Sequence, residues 1–111
     1  MTDASEATLP RDEETIDDVL RAMADEHRRR ILYHLRANGG VTDVDALVRH
    51  LSARTDLDPD SVAIRLHHVL LPRLAESGVV DYDPTRRRVR YCGGAFATEL
   101  IESVGDRERE N

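Results

Sequence analysis

Residues Val79–Asp83 and Arg88–Cys92 alternate apolar and charged side chains on either side of the tetrapeptide Pro84-Thr85-Arg86-Arg87. Alternation of period two around a short turn predicts a β-hairpin. A lone hairpin cannot bury a core of its own, so it must pack on what precedes it. What precedes it is helical in period.

The spacing of Ile16, Val19, Leu20 and Met23 predicts a first helix, with Thr15 and Asp18 placed as a capping box. Asp25 opens a second helix that runs to Ala37 and is stopped by Asn38-Gly39-Gly40. Val41 is expected in a short strand bridge. Thr42 is expected to cap a third helix striped by Val44, Leu47, Val48 and Leu51. Asp58 and Pro59 mark the start of a fourth helix that runs toward Ser77-Gly78. Pro72 lies inside that helix, so a kink or break is expected near Leu71. After the hairpin and Gly93-Gly94, a last helix runs from Ala95 to about Val104. The order is four helices, a hairpin and a helix. The fold class is mainly α with a small β-hairpin, the plan of a winged helix-turn-helix with a C-terminal wing and a final helix.

With 111 residues the chain has room for one such domain. The expected division is an acidic flexible arm over 1–13, the winged-helix domain over 14–104 and a charged, frayed tail over 105–111. The first twenty residues carry seven acids against Arg11 alone, and the remainder is balanced in charge. No long apolar run suggests a membrane span, and the acidic start does not read as a signal peptide. The cytoplasm is the expected compartment. The chain has no lysine and more aspartate than glutamate. That balance resembles proteins adapted to molar salt, although a GC-rich genome also favours arginine over lysine.

The run Met23-Ala24-Asp25-Glu26-His27-Arg28-Arg29-Arg30-Ile31-Leu32 resembles the LADPTRLRIL opening of ArsR-type winged-helix repressors. Leu71-Pro72-Arg73-Leu74-Ala75-Glu76-Ser77-Gly78-Val79-Val80 resembles their LKVLREAGLV passage from recognition helix to wing. Over residues 15–104 the chain is similar to small haloarchaeal winged-helix proteins. The resemblance implies a DNA-binding regulator whose outer helices pair two copies, and it implies that Arg28 and Arg30 support structure. The Cys-x-Cys motif of the metal sensors is missing, so metal sensing is not implied. The connection Ser52–Leu57 is also longer than a standard helix-turn-helix allows, which leaves the docking angle of the next helix open.

On a regular helix, Ala63, Leu66, Leu70 and Leu74 share one side and are expected in the core. Ser61, Arg65 and His68 then face outward, where Arg65 can address guanine and Ser61 and His68 a base edge or phosphate. His67 reads as a packed histidine. In the hairpin, Asp81 pairs across from Arg90 and Asp83 from Arg88, which leaves Arg86 and Arg87 unpaired at the tip and suited to phosphate or the minor groove. The expected partner is double-stranded DNA, bound by a homodimer formed through the first and last helices.

Enzyme chemistry finds no support. The five histidines match no zinc-ligand spacing and no glycine-rich phosphate loop is present. No catalytic residue, cofactor, metal or small-molecule ligand is expected. The single Cys92 reads as a small packed residue, with redox sensing as its alternative. The rival to DNA binding is a winged-helix protein–protein interaction module, for which Val62 and Val69 would supply apolar contacts. The two readings separate on the surface between helix and wing: a positive strip joining Arg65 to Arg86 and Arg87 for DNA, a contiguous apolar patch for a protein.

Overall fold

A computed structural model describes residues 15–110, so the acidic arm expected over 1–13 lies outside the described residues. Helix α1 spans Ile16–Ala22 and α2 spans Glu26–Ala37. Both start where the sequence places them. The Thr15 hydroxyl accepts from the Asp18 amide at 3.0 Å, with the reciprocal capping-box bond, and the Asp25 carboxylate accepts from the Arg28 amide at 3.0 Å. Gly39, at φ 78°, supplies the left-handed residue that ends α2.

Residues Val41–Asp43 form strand β1, longer than the expected bridge. Helix α3 follows over Val44–Ser52, and its cap is Asp43 rather than Thr42. The Asp43 carboxylate accepts from the Ala46 amide at 2.7 Å. Thr42 is committed to the sheet, and its hydroxyl lies 3.3 Å from His34 Nε2.

A helical rod covers 59–76. It comprises α4 (Pro59–Arg65), a π-helical turn (Leu66–Leu70) and α5 (Leu71–Glu76). The Asp58 carboxylate caps it through the Ser61 amide at 2.7 Å, with Pro59 in the first turn. Pro72 does not break the rod. A proline lacks an N–H and crowds the carbonyl four residues back. The rod absorbs this by widening the preceding turn, in which the Leu71 amide reaches Leu66 O. The wider turn brings both Leu70 and Leu71 into the core.

Strands β2 (Val80–Asp83) and β3 (Arg88–Tyr91) form the hairpin in the expected register, with Asp81 opposite Arg90 and Asp83 opposite Arg88. Strand β1 pairs with the other edge of β3, so the sheet has three strands in the order β1-β3-β2. Val80 and Val89 are buried beneath it. The arrangement is mainly α with a small antiparallel sheet and a C-terminal helix, which is the winged-helix architecture.

Helix α6 spans Ala95–Glu110 and corrects the expected end at Val104 and the frayed tail beyond it. Gly105 does not stop the helix. It is buried where a Cβ would lie 3.2 Å from the Tyr33 ring, so its missing side chain lets α6 approach α2. Beyond it, the Arg29 guanidinium donates two bonds to Glu108, at 3.0 and 3.1 Å, and a third to Met23 O at 2.8 Å. The Tyr33 hydroxyl also donates to Glu108. Arg36 pairs with Glu102 at 2.8 Å, so α6 runs antiparallel to α2. Arg29 and Tyr33 together hold the Glu108 carboxyl below the usual carboxylate range. Burial and the Glu108 charge push Tyr33 up to about 12.

The core draws on every helix: Val19 of α1, Ile31, Leu32 and Leu35 of α2, Leu47 of α3, Leu66 and Leu74 of the rod, and Ile101 of α6 are buried.

Candidate nucleic-acid interface

Leu66, Leu70 and Leu74 of the rod are in the core as expected, but Val62 takes the place expected of Ala63. The rod's buried positions are Val62, Leu66, Leu70, Leu71 and Leu74, whereas Ala63 is only half-buried. Val62 is therefore a core residue, not the exposed contact expected of it, and Val69 is half-buried. The outward line runs through Asp60, Ile64 and His68, with Ile64 at its centre and 61% exposed. His68 lies on this face as expected. Ser61 flanks it, half-buried, with its amide committed to the Asp58 cap.

Arg65 does not share the face. It lines a small apolar depression with His27, Leu51, Thr55 and Leu57, and its Nε is buried without a hydrogen-bond partner among the described residues. The expected strip joining Arg65 to the wing is therefore interrupted. Between rod and wing lies an open groove lined by Ala63, Ile64, His67, His68, Pro72, Tyr82 and Pro84. Its floor is largely apolar.

The two arginines expected to be unpaired at the wing tip are both engaged. Arg86 is 81% exposed and sits 3.9 Å from Asp83, a distance that binds weakly. The Asp83 carboxylate instead organises the turn, accepting from the Thr85 and Arg86 amides at 3.1 and 3.2 Å. Arg87 turns back from the tip and donates to Asp45 of α3 at 2.8 Å and to His67 Nε2 at 3.2 Å. Arg90 pairs with Asp81 at 3.3 Å. Arg88 is exposed and makes no ion pair among the described residues.

The contact of Arg87 with His67 fixes a tautomer. A guanidinium only donates, so Nε2 must carry the lone pair and the neutral ring holds its proton on Nδ1. Nδ1 then donates to the Tyr82 hydroxyl. Asp45, Arg87, His67 and Tyr82 thus form one polar chain that ties α3, the rod and the wing together. Burial and then the Arg87 charge hold His67 below the ordinary histidine range. Hydrogen bonding from Arg87 holds Asp45 below the carboxylate range.

Each arginine of the densest basic run has a partner within the fold. Arg28 donates to the carbonyls of Ala22 and Arg21 at the end of α1, at 3.3 and 2.8 Å. Arg29 clamps Glu108, and Arg30 pairs with Glu26 one turn earlier.

A second histidine pair lies away from the groove. The His34 and His50 rings are 4.6 Å apart. Burial and Arg54 hold His34 low, and burial, Arg54 and then His34 bring His50 down to about 4. Both are neutral in the folded state near pH 7. Unfolded histidine takes up a proton near pH 6.5. Stability is therefore complete above that value and falls as pH drops from about 6.5 toward 4. His50→Asn is expected to flatten this window. Chemical denaturation at several pH values checks it, and an unchanged slope would count against the account of the pair.

Among the described residues no group of three or more His, Cys, Asp or Glu is placed to hold a metal ion. Cys92 is exposed and donates to Arg90 O rather than packing inside. No helix of the described residues is long and apolar enough to cross a membrane. Ile16 and Leu20 of α1 and Phe96 of α6 are large apolar residues left exposed.

No curated protein and no solved structure matches this chain. Residues 20–90, from the end of α1 through most of β3, match a domain of unknown function, DUF7344. That span exceeds half of the chain and contains the rod, the wing and the Asp45–Arg87–His67 chain, so the protein belongs to the DUF7344 family.

Proposed function

We propose that this protein is a non-catalytic, cytoplasmic DNA-binding transcription regulator of ArsR-like, haloarchaeal type. It sets the outward face of the 59–76 rod in the major groove and the wing tip on the backbone. One observation carries the reading. The sheet fixes an arginine-bearing hairpin beside a rod whose capped N-terminal half projects Ile64 and His68 into solvent. Such a helix is of a size to enter the major groove. His68 and Ser61 can address base edges, and Ile64 can pack on a thymine methyl. Arg86, Arg87 and Arg88 supply the cations for phosphate. Arg65, displaced from this face, is left out of the proposal.

The partner proposed for the first and last helices is a second copy of the chain. Helix α1 leaves Ile16 and Leu20 exposed and α6 leaves Phe96 exposed, apolar positions that such a pairing would cover. An isologous dimer built there would present two rods to a two-fold operator. Light scattering in molar KCl should give twice the chain mass; a monomeric mass at all concentrations would remove the dimer from the proposal.

The apolar floor of the groove favours a second reading, a docking module for another protein. Chromatin immunoprecipitation from the protein's own high-salt cytoplasm separates the two. Discrete sites that disappear when His68 and Arg86 are replaced by alanine support direct DNA reading. Sites that persist in the variant and coincide with those of another factor support docking.

A further inference from the structure

Arg87 is the one residue other than glycine with a positive φ among the described residues, at 57°. A side chain in that region is strained where glycine is not. The conformation is fixed from both sides. Arg87 O accepts the Val44 amide at 3.0 Å, and the Asp83 side chain holds the preceding two amides of the turn. Its consequence is direction: the guanidinium points back over the first turn of α3 instead of outward from the tip. There it meets Asp45 at 2.8 Å and His67 Nε2 at 3.2 Å. A strained position that carries a long cationic side chain, and uses it to join three elements, invites a functional account.

We propose that Arg87 is a latched phosphate ligand, for which Asp45 is the built-in competitor. In the free chain the carboxylate occupies the guanidinium, and on binding a DNA phosphate takes its place. The inference rests on the DNA-binding reading and specifies how that site is regulated. Three observations support it. First, carboxylate and phosphate offer the guanidinium fork the same kind of acceptor geometry, so one can replace the other without moving the wing. Second, the pair is open to solvent, with Arg87 46% and Asp45 68% exposed. Open pairs of this kind bind weakly, so the latch biases the site without closing it. Third, His67 keeps hold of the second guanidinium nitrogen and anchors the arginine to the rod, beside His68 and the groove.

The exchange has an ionic consequence. Neutralising a phosphate releases a condensed cation. Freeing the Asp45 carboxylate returns an anion to solvent, which gathers cations again. Net ion release at this contact is therefore small, and the contact loses little strength as salt rises. A simple exposed arginine would show the full salt dependence. In a chain with no lysine and a net charge of −6, such an exchange gives phosphate binding that tolerates concentrated salt.

The test is a double-mutant cycle on the full chain with a fluorescein-labelled duplex of random sequence, titrated at several KCl concentrations. Thermal unfolding of each variant confirms the fold. Asp45→Asn is expected to tighten binding about two- to fivefold and to steepen the dependence of log affinity on log salt by up to about 0.9. Arg87→Ala is expected to weaken binding, and Asp45→Asn added to Arg87→Ala is expected to do nothing further. Equal tightening by Asp45→Asn in both backgrounds would mean general charge removal and would overturn the latch. So would weakening by Arg87→Ala with no effect of Asp45→Asn, or binding by the wild type that Arg87→Ala leaves unchanged. No binding of the duplex by any form would overturn the DNA-binding reading and the latch with it.

Discussion

Replacing Leu66 by alanine is expected to lower the unfolding free energy by about 2–5 kcal/mol, whereas Ile64→Ala, two residues earlier, is expected to change it by less than about 0.5 kcal/mol. Leu66 is fully buried where the π-helical turn begins, in a core with Leu70, Leu71 and Leu74. Its truncation removes apolar area and leaves a cavity in that core. A domain of this size has only about 5–15 kcal/mol in hand, so the variant sits near the edge of folding. Ile64 projects into solvent and loses almost nothing. The pair of variants thus measures the phase of the rod. Denaturant unfolding in molar KCl reads both, and comparable losses for the two would mean that the rod is turned differently.

The double variant His68→Ala with Arg86→Ala is expected to bind its operator about ten- to a hundredfold more weakly. One base-edge contact contributes about 1–3 kcal/mol of discrimination, and one phosphate contact shifts the salt slope by about one unit. His68 is exposed on the rod and Arg86 is 81% exposed at the wing tip, 3.9 Å from Asp83. Neither supports the core, so the thermal transition should stay where it is. Fluorescence anisotropy with an operator duplex and with random duplex separates the two losses. His68→Ala alone should reduce the difference between them, and Arg86→Ala alone should weaken both together.

Most of this fold can be read locally. Thr15, Asp25 and Asp58 cap helices because a short acceptor side chain satisfies free amides a few residues ahead. Asp81 faces Arg90 because the hairpin loop sets the register. What the sequence hides depends on contacts distant along the chain. Thr42 looks as good a cap as Asp43 until β1 joins β3 and takes Thr42 into the sheet. Gly105 looks like a helix end until Tyr33 is packed against it and Arg29 clamps Glu108 beyond.

The candidate interface was legible only in part for the same reason. A regular helical repeat misplaces Arg65 and Val62 because Val62, not Ala63, meets the core, and Pro72 adds a widened turn that no repeat anticipates. His68 falls on the outward face under either phase. Arg87 reads as a free cation at a turn, because its partners Asp45 and His67 lie far away in sequence. A clue was present: a four-residue loop that ends without glycine or asparagine leaves a bulky residue to take the left-handed conformation.

The face formed by Ile64, His68 and the wing tip is proposed to read DNA sequence. Repeated selection of bound duplexes from a random-sequence pool, in molar KCl with the full chain, tests it most directly. The expected result is enrichment of one motif, arranged as two related half-sites about one helical turn apart, and loss of that enrichment with His68→Ala plus Arg86→Ala. A pool that stays random after repeated rounds, while the protein remains folded, would contradict it.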